Sequence, residues 1–146
     1  MPKFEREVEI DAPVSKVWET LTNPELYPQW FPGMDSVSNA TTLSEGARFD
    51  WTDKGRAGRA SVVKMEPMKR LEIKTQVGDD QDLHVFNLKP SGGFFGTNAD
   101  ECKIEYSLDT LMGGGILANF IAGGNPMDTM RVTKAMNMFR KLVESV

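Results

Sequence analysis

The chain contains one histidine, His84, whose position decides much of the chemistry that the sequence can offer. A buried neutral imidazole can act as a general acid or base, or as a hydrogen-bond donor to a ligand. The surrounding segment QDLHVFNLKP (81–90) is typical of a strand. His84 shares one face of that strand with Phe86 and Leu88, but the residues between them form an equally apolar face. The alternation alone therefore also allows a surface histidine, or one with a purely structural hydrogen bond.

Three further polar side chains, Arg6, Arg59 and Tyr106, fall at strand positions that we predict to face the interior. A cavity that binds a polar head group can use one buried arginine, paired with a carboxylate or phosphate of the ligand. Either arginine could instead reach water near a strand end, or pair with an acid on a neighbouring strand. Both alternatives remain open at the level of the sequence.

Several catalytic and cofactor sites are excluded by residue counts and motifs. With one histidine and one cysteine, Cys102, a histidine-rich metal site is excluded, and we expect no metal and no cofactor. No nucleophile-elbow pattern is present, which argues against a Ser-His-Asp triad. The glycine-rich segment GGGILANFIAGG (113–124) lacks the Lys-Ser/Thr pair of a phosphate-binding loop. Its glycines predict either a movable gate or tight backbone packing.

The composition is that of an ordinary globular protein, with 146 residues, 40% hydrophobic residues and 26% charged residues. A formal net charge of −4 disfavours nucleic acid as a partner, because binding to phosphates needs a positive field. The single cysteine fits a reducing compartment. The first ten residues lack the apolar core of a signal peptide, and no apolar run is long enough for a membrane helix. We therefore expect a cytoplasmic protein without a membrane span.

The first elements along the chain change their hydrophobic period from two to about 3.6. Residues 4–11 alternate apolar and polar side chains, as in a strand with one wet face. Residues 12–21 then show helical spacing, with Asp11 as the predicted N-cap. Residues 23–30 repeat this signal in a shorter helix capped by Asn23.

The rest of the chain reads as a β meander followed by a long helix. Residues 35–111 contain six predicted strands, the clearest of which alternates from Cys102 to Leu108. Asn125 and Pro126 predict the start of the final helix. We therefore predict one α+β domain over residues 1–146, with a seven-stranded antiparallel sheet curled around this helix. The helix presents one apolar stripe to the sheet: Val132, Met136, Phe139, Val143 and Val146.

Four aromatic residues in the helical region, Trp18, Tyr27, Trp30 and Phe31, are predicted to fill the gap between the curled sheet and the straight helix. The stretch EIDAPVSKVWETLTNPELYPQWFPGMDSV resembles the N-terminal signature of the SRPBCC (START and birch-pollen-allergen-like) superfamily. Together with KMEPMKRLEI and the element order, it is most similar to the polyketide cyclase/dehydrase and lipid-transport branch. The resemblance implies a helix-grip fold with a deep cavity between sheet and helix. It also implies that His84 points inward, because Leu88 matches an inward position of the family pattern.

The leading functional hypothesis is a non-enzymatic carrier or sensor for a small hydrophobic or amphipathic ligand, such as a lipid, a polyketide or an isoprenoid. The alternatives are a polyketide cyclase or dehydratase that uses the same cavity, and a partner-binding module of the chaperone-activator kind. We predict that Trp51 bounds the ligand near the wide mouth of the cavity, although it could simply pack against the final helix. The predicted ligand-binding residues are Phe49, Trp51, Arg59, Ile73, His84, Phe86, Tyr106, Val132, Met136 and Phe139.

Two apolar groups fall outside this predicted cavity. Phe94 and Phe95 lie at a hairpin tip, where they form either an end plug or a contact surface for a partner. Met127, Met130 and Met138 lie off the main helix stripe. They are either covered by residues 116–121 or form an exposed strip that supports a homodimer.

Overall fold

The structure, a computed structural model, describes residues 3–92, 98–112 and 126–145. The chain begins with strand β1, helix α1 and a 3₁₀ helix, continues through strands β2 to β7, and ends in helix α2. Their bounds are β1 Lys3–Ile10, α1 Val14–Leu21, 3₁₀ helix Pro24–Gln29, β2 Ser36–Ser38, β3 Arg48–Asp53, β4 Arg56–Glu66, β5 Arg70–Val77, β6 Asp80–Gly92, β7 Asn98–Met112 and α2 Pro126–Glu144.

In the part of the chain that the structure describes, seven strands form one curved antiparallel sheet in the order β1-β7-β6-β5-β4-β3-β2. Strands β2 to β7 form a meander, and β1 forms the edge of the sheet beside β7. The two strands pair from Lys3 opposite Asp109 to Ile10 opposite Cys102. This is the predicted α+β helix-grip fold.

Helix α2 packs on the sheet through the apolar stripe expected from its sequence. Its inward residues recur at helical spacing, and each is at most 3% exposed. The end of β1 is tied to the last turn of α2, because the Asp11 backbone N–H donates to Glu144 Oε2 at 2.8 Å. The described members of the stripe are Val132, Ala135, Met136, Phe139 and Val143; Val146 lies outside the described residues.

The two short helices differ from prediction in one detail each. Asp11 does not cap α1; Pro13 occupies the N-cap position, and no side chain accepts a hydrogen bond there. The second helix is a 3₁₀ helix rather than an α-helix. Pro28 lies inside this helix and has no N–H to donate, which disfavours a continued α-helical pattern. The predicted cap at Asn23 is confirmed, since its Oδ1 accepts from the Glu25 N–H at 3.2 Å.

A register shift interrupts the alternation of inward and outward side chains along β4. The pairing with β5 slips between Val62 and Lys64, so that Val63 has no partner across the ladder. Val62 is 2% exposed, whereas Val63 is 52% exposed. Before this shift the inner face of β4 consists of Gly58, Ala60 and Val62.

Among the helices within residues 3–92, 98–112 and 126–145, none combines the length and apolar character that crossing a bilayer requires.

Candidate functional site

Three neighbouring strands bring three polar side chains together in the interior: Thr75 from β5, His84 from β6 and Tyr106 from β7. Thr75 Oγ1 lies 2.9 Å from His84 Nε2, and His84 Nδ1 lies 2.6 Å from Tyr106 Oη. The three residues are 4%, 1% and 0% exposed respectively. They form a continuous hydrogen-bonded chain, here called the polar triad, that crosses the concave face of the sheet.

The strand register explains why these residues meet. His84 is paired with Ile73 on β5 and with Leu108 on β7, so Thr75 and Tyr106 are its diagonal neighbours on opposite sides. Diagonal neighbours on one face of an antiparallel sheet lie within reach of long side chains. Period-two alternation places all three on the inner face.

The charge state of the triad follows from its burial. Desolvation, and secondarily the positive charge of Arg131 on α2, lower the pKa of His84 to about 3. The imidazole is therefore neutral near pH 7, with one ring nitrogen as a donor and the other as an acceptor. The hydrogen-bonded chain can run in either of two directions, depending on which nitrogen carries the proton.

Aromatic rings enclose the triad. The Phe31 ring centroid lies 4.7 Å from that of His84, and Phe86 stacks on Tyr106 at 4.5 Å. Trp30 packs edge-on against Phe139 of α2 at 4.7 Å. The four aromatic residues predicted to fill the gap between sheet and helix are all buried, and Trp30 contacts both Phe86 of the sheet and Phe139 of α2, which confirms the prediction; Phe31 also reaches the polar triad.

Nine of the ten predicted ligand-binding residues are buried. They are Phe49, Trp51, Ile73, His84, Phe86, Tyr106, Val132, Met136 and Phe139.

Thr75 was missed by the sequence analysis, although it lies on the same parity as Ile73 and Val77 in RLEIKTQV. A hydroxyl group on an otherwise apolar strand face was the signal that could have identified it.

The inward placement predicted for Arg59 is wrong, and so is that of Arg6. Both side chains are exposed. Arg59 lies beside Asp50 and Gln76 in the ladder, on the outer face. The reason is the parity of β4, which directs Gly58 and Ala60 inward and so turns Arg59 outward.

Trp51 is 6% exposed and lies over Gly58, its partner in the β3–β4 ladder. A Cβ added to Gly58 would stand 2.5 Å from Trp51 Cε2, so the ring occupies the space left by the missing side chain. The Trp51 indole N–H has no hydrogen-bond partner among the described residues. Trp51 also borders an open cleft of about 580 Å³ together with Asp50 and Arg59. Its predicted contact with a ligand stays a prediction.

A second cleft, of about 360 Å³, lies between residues 28–35 and α2. Trp30 and Phe31 form part of its inner wall, and Arg131 and Lys134 line it from α2. A larger open groove of about 760 Å³ lies by the β4–β5 turn. Each of these three depressions is open to solvent.

Several other predictions concern the chain's surface or its undescribed parts. Phe94, Phe95, the glycine-rich segment and the Met127 side chain lie outside what the structure describes. Met130 and Met138 are 69% and 40% exposed. Within the described ranges, no group of three His, Cys, Asp or Glu residues is placed to hold a metal ion.

A curved seven-stranded sheet gripping a C-terminal helix, with short helices after the first strand, defines a START-like protein of the SRPBCC superfamily. The family model described as polyketide cyclase / dehydrase and lipid transport matches residues 1–144. The chain belongs to this family.

Solved structures with low sequence identity share the fold. Protein MLL2253 from Mesorhizobium loti superimposes with a TM-score of 0.73 at 18% identity, covering 99% of this chain and 98% of that one. A START superfamily protein from Mycobacterium smegmatis gives 0.65 at 16% identity, over 98% and 94% of the two chains.

DynU16, a protein of the dynemicin biosynthetic locus, gives a TM-score of 0.70 at 20% identity over 99% of this chain. The present chain spans 48% of DynU16, about half its length. A comparison with curated proteins gave no match. At these identities the structural likeness establishes the fold.

Proposed function

We propose that this protein binds a small hydrophobic or amphipathic ligand, such as a lipid, a polyketide or an isoprenoid, between the sheet and α2. The observation that carries the proposal is the polar triad, a hydrogen-bonded chain inside an otherwise apolar interior. Apolar residues of the same shape could replace such groups at little cost in stability. A pocket that orients a ligand, by contrast, needs a few polar groups among apolar walls.

The triad retains hydrogen-bonding capacity for a ligand. If His84 Nε2 carries the proton and donates to Thr75, the Thr75 hydroxyl proton is available to a second acceptor. If Thr75 donates to His84, its oxygen keeps a lone pair for a second donor. The first arrangement can donate a hydrogen bond to a carbonyl group of the ligand, and the second can accept one from a hydroxyl group.

The proposed apolar walls come from the sheet and from α2. Phe49, Ile73 and Phe86 contribute from the sheet, and Met136 and Phe139 from the helix. Methionine is unbranched and adapts its shape to what it packs against. In the described conformation each of these side chains is at most 2% exposed, so a ligand would enter by displacing side chains such as Phe31. Trp51 and Val132 complete the proposed lining.

The charge state of His84 favours binding over acid–base catalysis. An efficient general base has a pKa near the working pH, whereas burial holds the pKa of His84 at about 3. Such an imidazole is a poor proton acceptor near pH 7 but a good neutral hydrogen-bonding group.

Polyketide cyclisation or dehydration is a second candidate function. It requires two polar groups that converge on one position of the ligand, and the 2.6 Å contact of His84 Nδ1 with Tyr106 Oη supplies such a pair. The family description, polyketide cyclase / dehydrase and lipid transport, supports polyketide-related chemistry, and DynU16 comes from a biosynthetic locus. In this candidate Tyr106 is the proton donor to the ligand.

The proposal is tested by titration with N-phenyl-1-naphthylamine, a neutral apolar fluorescent probe. We expect a Kd on the order of micromolar, which corresponds to about 8 kcal/mol. Native mass spectrometry of protein purified from its own host should then reveal the bound molecule. Failure of this probe and of several unrelated apolar probes to bind the folded protein would refute the proposal.

A pair of matched variants tests the role of the triad. Tyr106→Phe removes the hydroxyl that fixes His84, and through it the Thr75 hydroxyl, and should weaken binding of a bound polar ligand about fivefold, the effect of one hydrogen bond. Tyr27→Phe is the control, because the Tyr27 hydroxyl is equally buried but donates to the Leu21 carbonyl at 2.7 Å. Equal affinity losses in both variants would assign the effect to general loosening of the core. A retained affinity in Tyr106→Phe would remove the triad from the site.

The cellular setting and any partner remain part of this proposal. A cytoplasmic location is supported by the single cysteine, Cys102, which is buried as a free thiol.

A homodimer that forms through the exposed Met130 and Met138 is proposed as an alternative role for the outer side of α2. Sedimentation of the purified protein, with Met130→Gln as the comparison, decides between a monomer and this dimer.

A further inference from the structure

The cleft between residues 28–35 and α2 combines positive charge with apolar surface. Helix α2 contributes Arg131, Lys134, Ala135 and Met138, which share one face because they are three, four and seven positions apart. The two cations lie nearly one turn apart, and Met138 lies one turn beyond Lys134. A ligand lying along this face would meet charge at one end and apolar surface at the other.

Arg131 lies close to the backbone on the opposite side of the cleft. Gly33 has a φ of +77°, and a Cβ at this position would stand 3.6 Å from Arg131 Nη2. The same Cβ would lie 4.0 Å from Asp53 Oδ2, which accepts from Arg56 Nη2 at 2.9 Å. The Arg131 guanidinium therefore lies close to the backbone at Gly33, with the Asp53 carboxylate nearby.

Lys134 is exposed and forms no ion pair with any residue that the structure describes. Asp35 is the acid that lines the same cleft, and its Oδ2 already accepts from the Lys54 backbone N–H at 2.6 Å. Because the chain as a whole carries a net charge of −4, two cations on one wall of a cleft are a local exception.

The inner wall of the cleft contains an unmet hydrogen-bond donor. Trp30 is 4% exposed, and its indole N–H has no partner among the described residues. A buried donor without an acceptor is costly, so an oxygen-rich group that reached Trp30 from the cleft would gain a hydrogen bond there. Phe31, the next residue, lines the cleft and also contacts the His84 ring. The cleft is thus one aromatic side chain away from the polar triad.

We infer that this cleft binds the anionic head group of an amphipathic ligand, a carboxylate or a phosphate, between Arg131 and Lys134. The apolar part of the ligand contacts Phe31 and Met138 at the cleft and continues past Phe31 to the apolar walls of the proposed site. This inference rests on the proposed function and adds the chemical class of one end of the ligand. Charge-assisted hydrogen bonds to carboxylate and phosphate oxygens are about twice as strong as neutral ones, so the anion dominates recognition at this end.

The experiment compares two ligands with the same tail by isothermal titration calorimetry: decanoate, which is anionic, and decanol, which is neutral. We expect decanoate to bind about tenfold more tightly at low salt, with its advantage shrinking as salt is added. Lys134→Gln should remove most of that advantage, because it should lower the affinity for decanoate much more than the affinity for decanol. Lys141→Gln is the matched control, because Lys141 is exposed on the same helix but lies outside the cleft.

Arg131 is tested by charge-conserving and charge-removing substitutions. Arg131→Gln should weaken decanoate binding about tenfold, and Arg131→Lys should restore part of the loss. Each variant is first compared with the parent protein by thermal unfolding, so that lost binding is read only from folded protein. If both arginine variants unfold, Lys134→Gln and Lys134→Glu carry the test, since Lys134 is exposed.

The outcomes separate the two proposals. If decanoate and decanol bind equally, or if Lys134→Gln changes neither affinity, the anion site is refuted while the ligand-binding function stands. If inorganic phosphate alone binds as tightly as decanoate, the cleft is a site for free anions and the link to an amphipathic ligand is refuted. If neither decyl compound binds and the neutral apolar probe also fails, the proposed function itself is refuted.

Discussion

His84 should make the stability of this protein fall steeply in mild acid. In the folded state, burial holds its pKa at about 3, against about 6.5 for an unperturbed histidine. Between these values the unfolded chain binds one proton that the folded chain does not. The free energy of unfolding therefore decreases as the pH falls from about 6.5 towards 3. Above about 6.5, His84 is neutral in both states and its protonation costs no stability.

The size of the effect follows from the difference in pKa. Each pH unit below 6.5 costs about 1.36 kcal/mol, so lowering the pH to about 5 should destabilise the protein by about 2 kcal/mol through His84 alone. The full interval corresponds to about 5 kcal/mol, a large share of the stability of an ordinary domain. Because His84 is 1% exposed, solvent screening reduces this value little.

The assay is denaturant unfolding at pH about 7 and about 5, on the parent protein and on His84→Gln. Carboxylates also titrate in this range, so the relevant quantity is the difference between the two proteins in their loss of stability. We expect the parent protein to lose about 2 kcal/mol more than the variant. Since the chain has one histidine, its imidazole proton resonances can be followed by NMR without assignment. A titration midpoint of about 6 or higher in the folded protein would refute the reasoning.

Three further predictions concern other buried residues. Gly58→Ala should destabilise the protein by about 1–3 kcal/mol in denaturant unfolding, because its Cβ would overlap the Trp51 ring. Trp51→Phe should relieve part of that loss. An equal loss of stability from Gly58→Ala in the parent protein and in Trp51→Phe would contradict this. Trp51→Ala should cost less than the roughly 3–5 kcal/mol of a solid-core tryptophan while sharply lowering probe affinity; a large stability loss with affinity retained would show that Trp51 is purely structural. Cys102 is buried, and the pKa of its thiol is raised to about 11. Thiol reagents should therefore label it only after denaturation. Rapid labelling of the folded protein would contradict its burial.

The element order could be read from the sequence because each element shows its own hydrophobic period. The alternation from Cys102 to Leu108 and the stripe on α2 are both buried as predicted. Arg59 was misplaced because RAGRASVVK is compatible with two parities, and the bulge at Val63 is a pairing property that no local pattern specifies.

The polar triad could be predicted only in part. His84 and Tyr106 were recognised as inward candidates, but their hydrogen bond depends on the register between β6 and β7. Thr75 was overlooked because threonine is common on either face of a strand. The cleft at Arg131 joins residues about 100 positions apart, and its shape depends on how the loop through Gly33 packs on α2.

The pairing of the first strand with the last strand has a consequence for biosynthesis. β1 hydrogen-bonds only to β7 within the described sheet, and Asp11 at its end contacts Glu144, 133 residues further along the chain. At about 5–20 residues per second, a ribosome needs roughly 5–25 seconds to deliver these partners. During that interval β1 is an unpaired strand that could associate with other nascent chains. Its exposed glutamates, Glu5, Glu7 and Glu9, repel identical strands and so protect the chain until its own C-terminal half emerges.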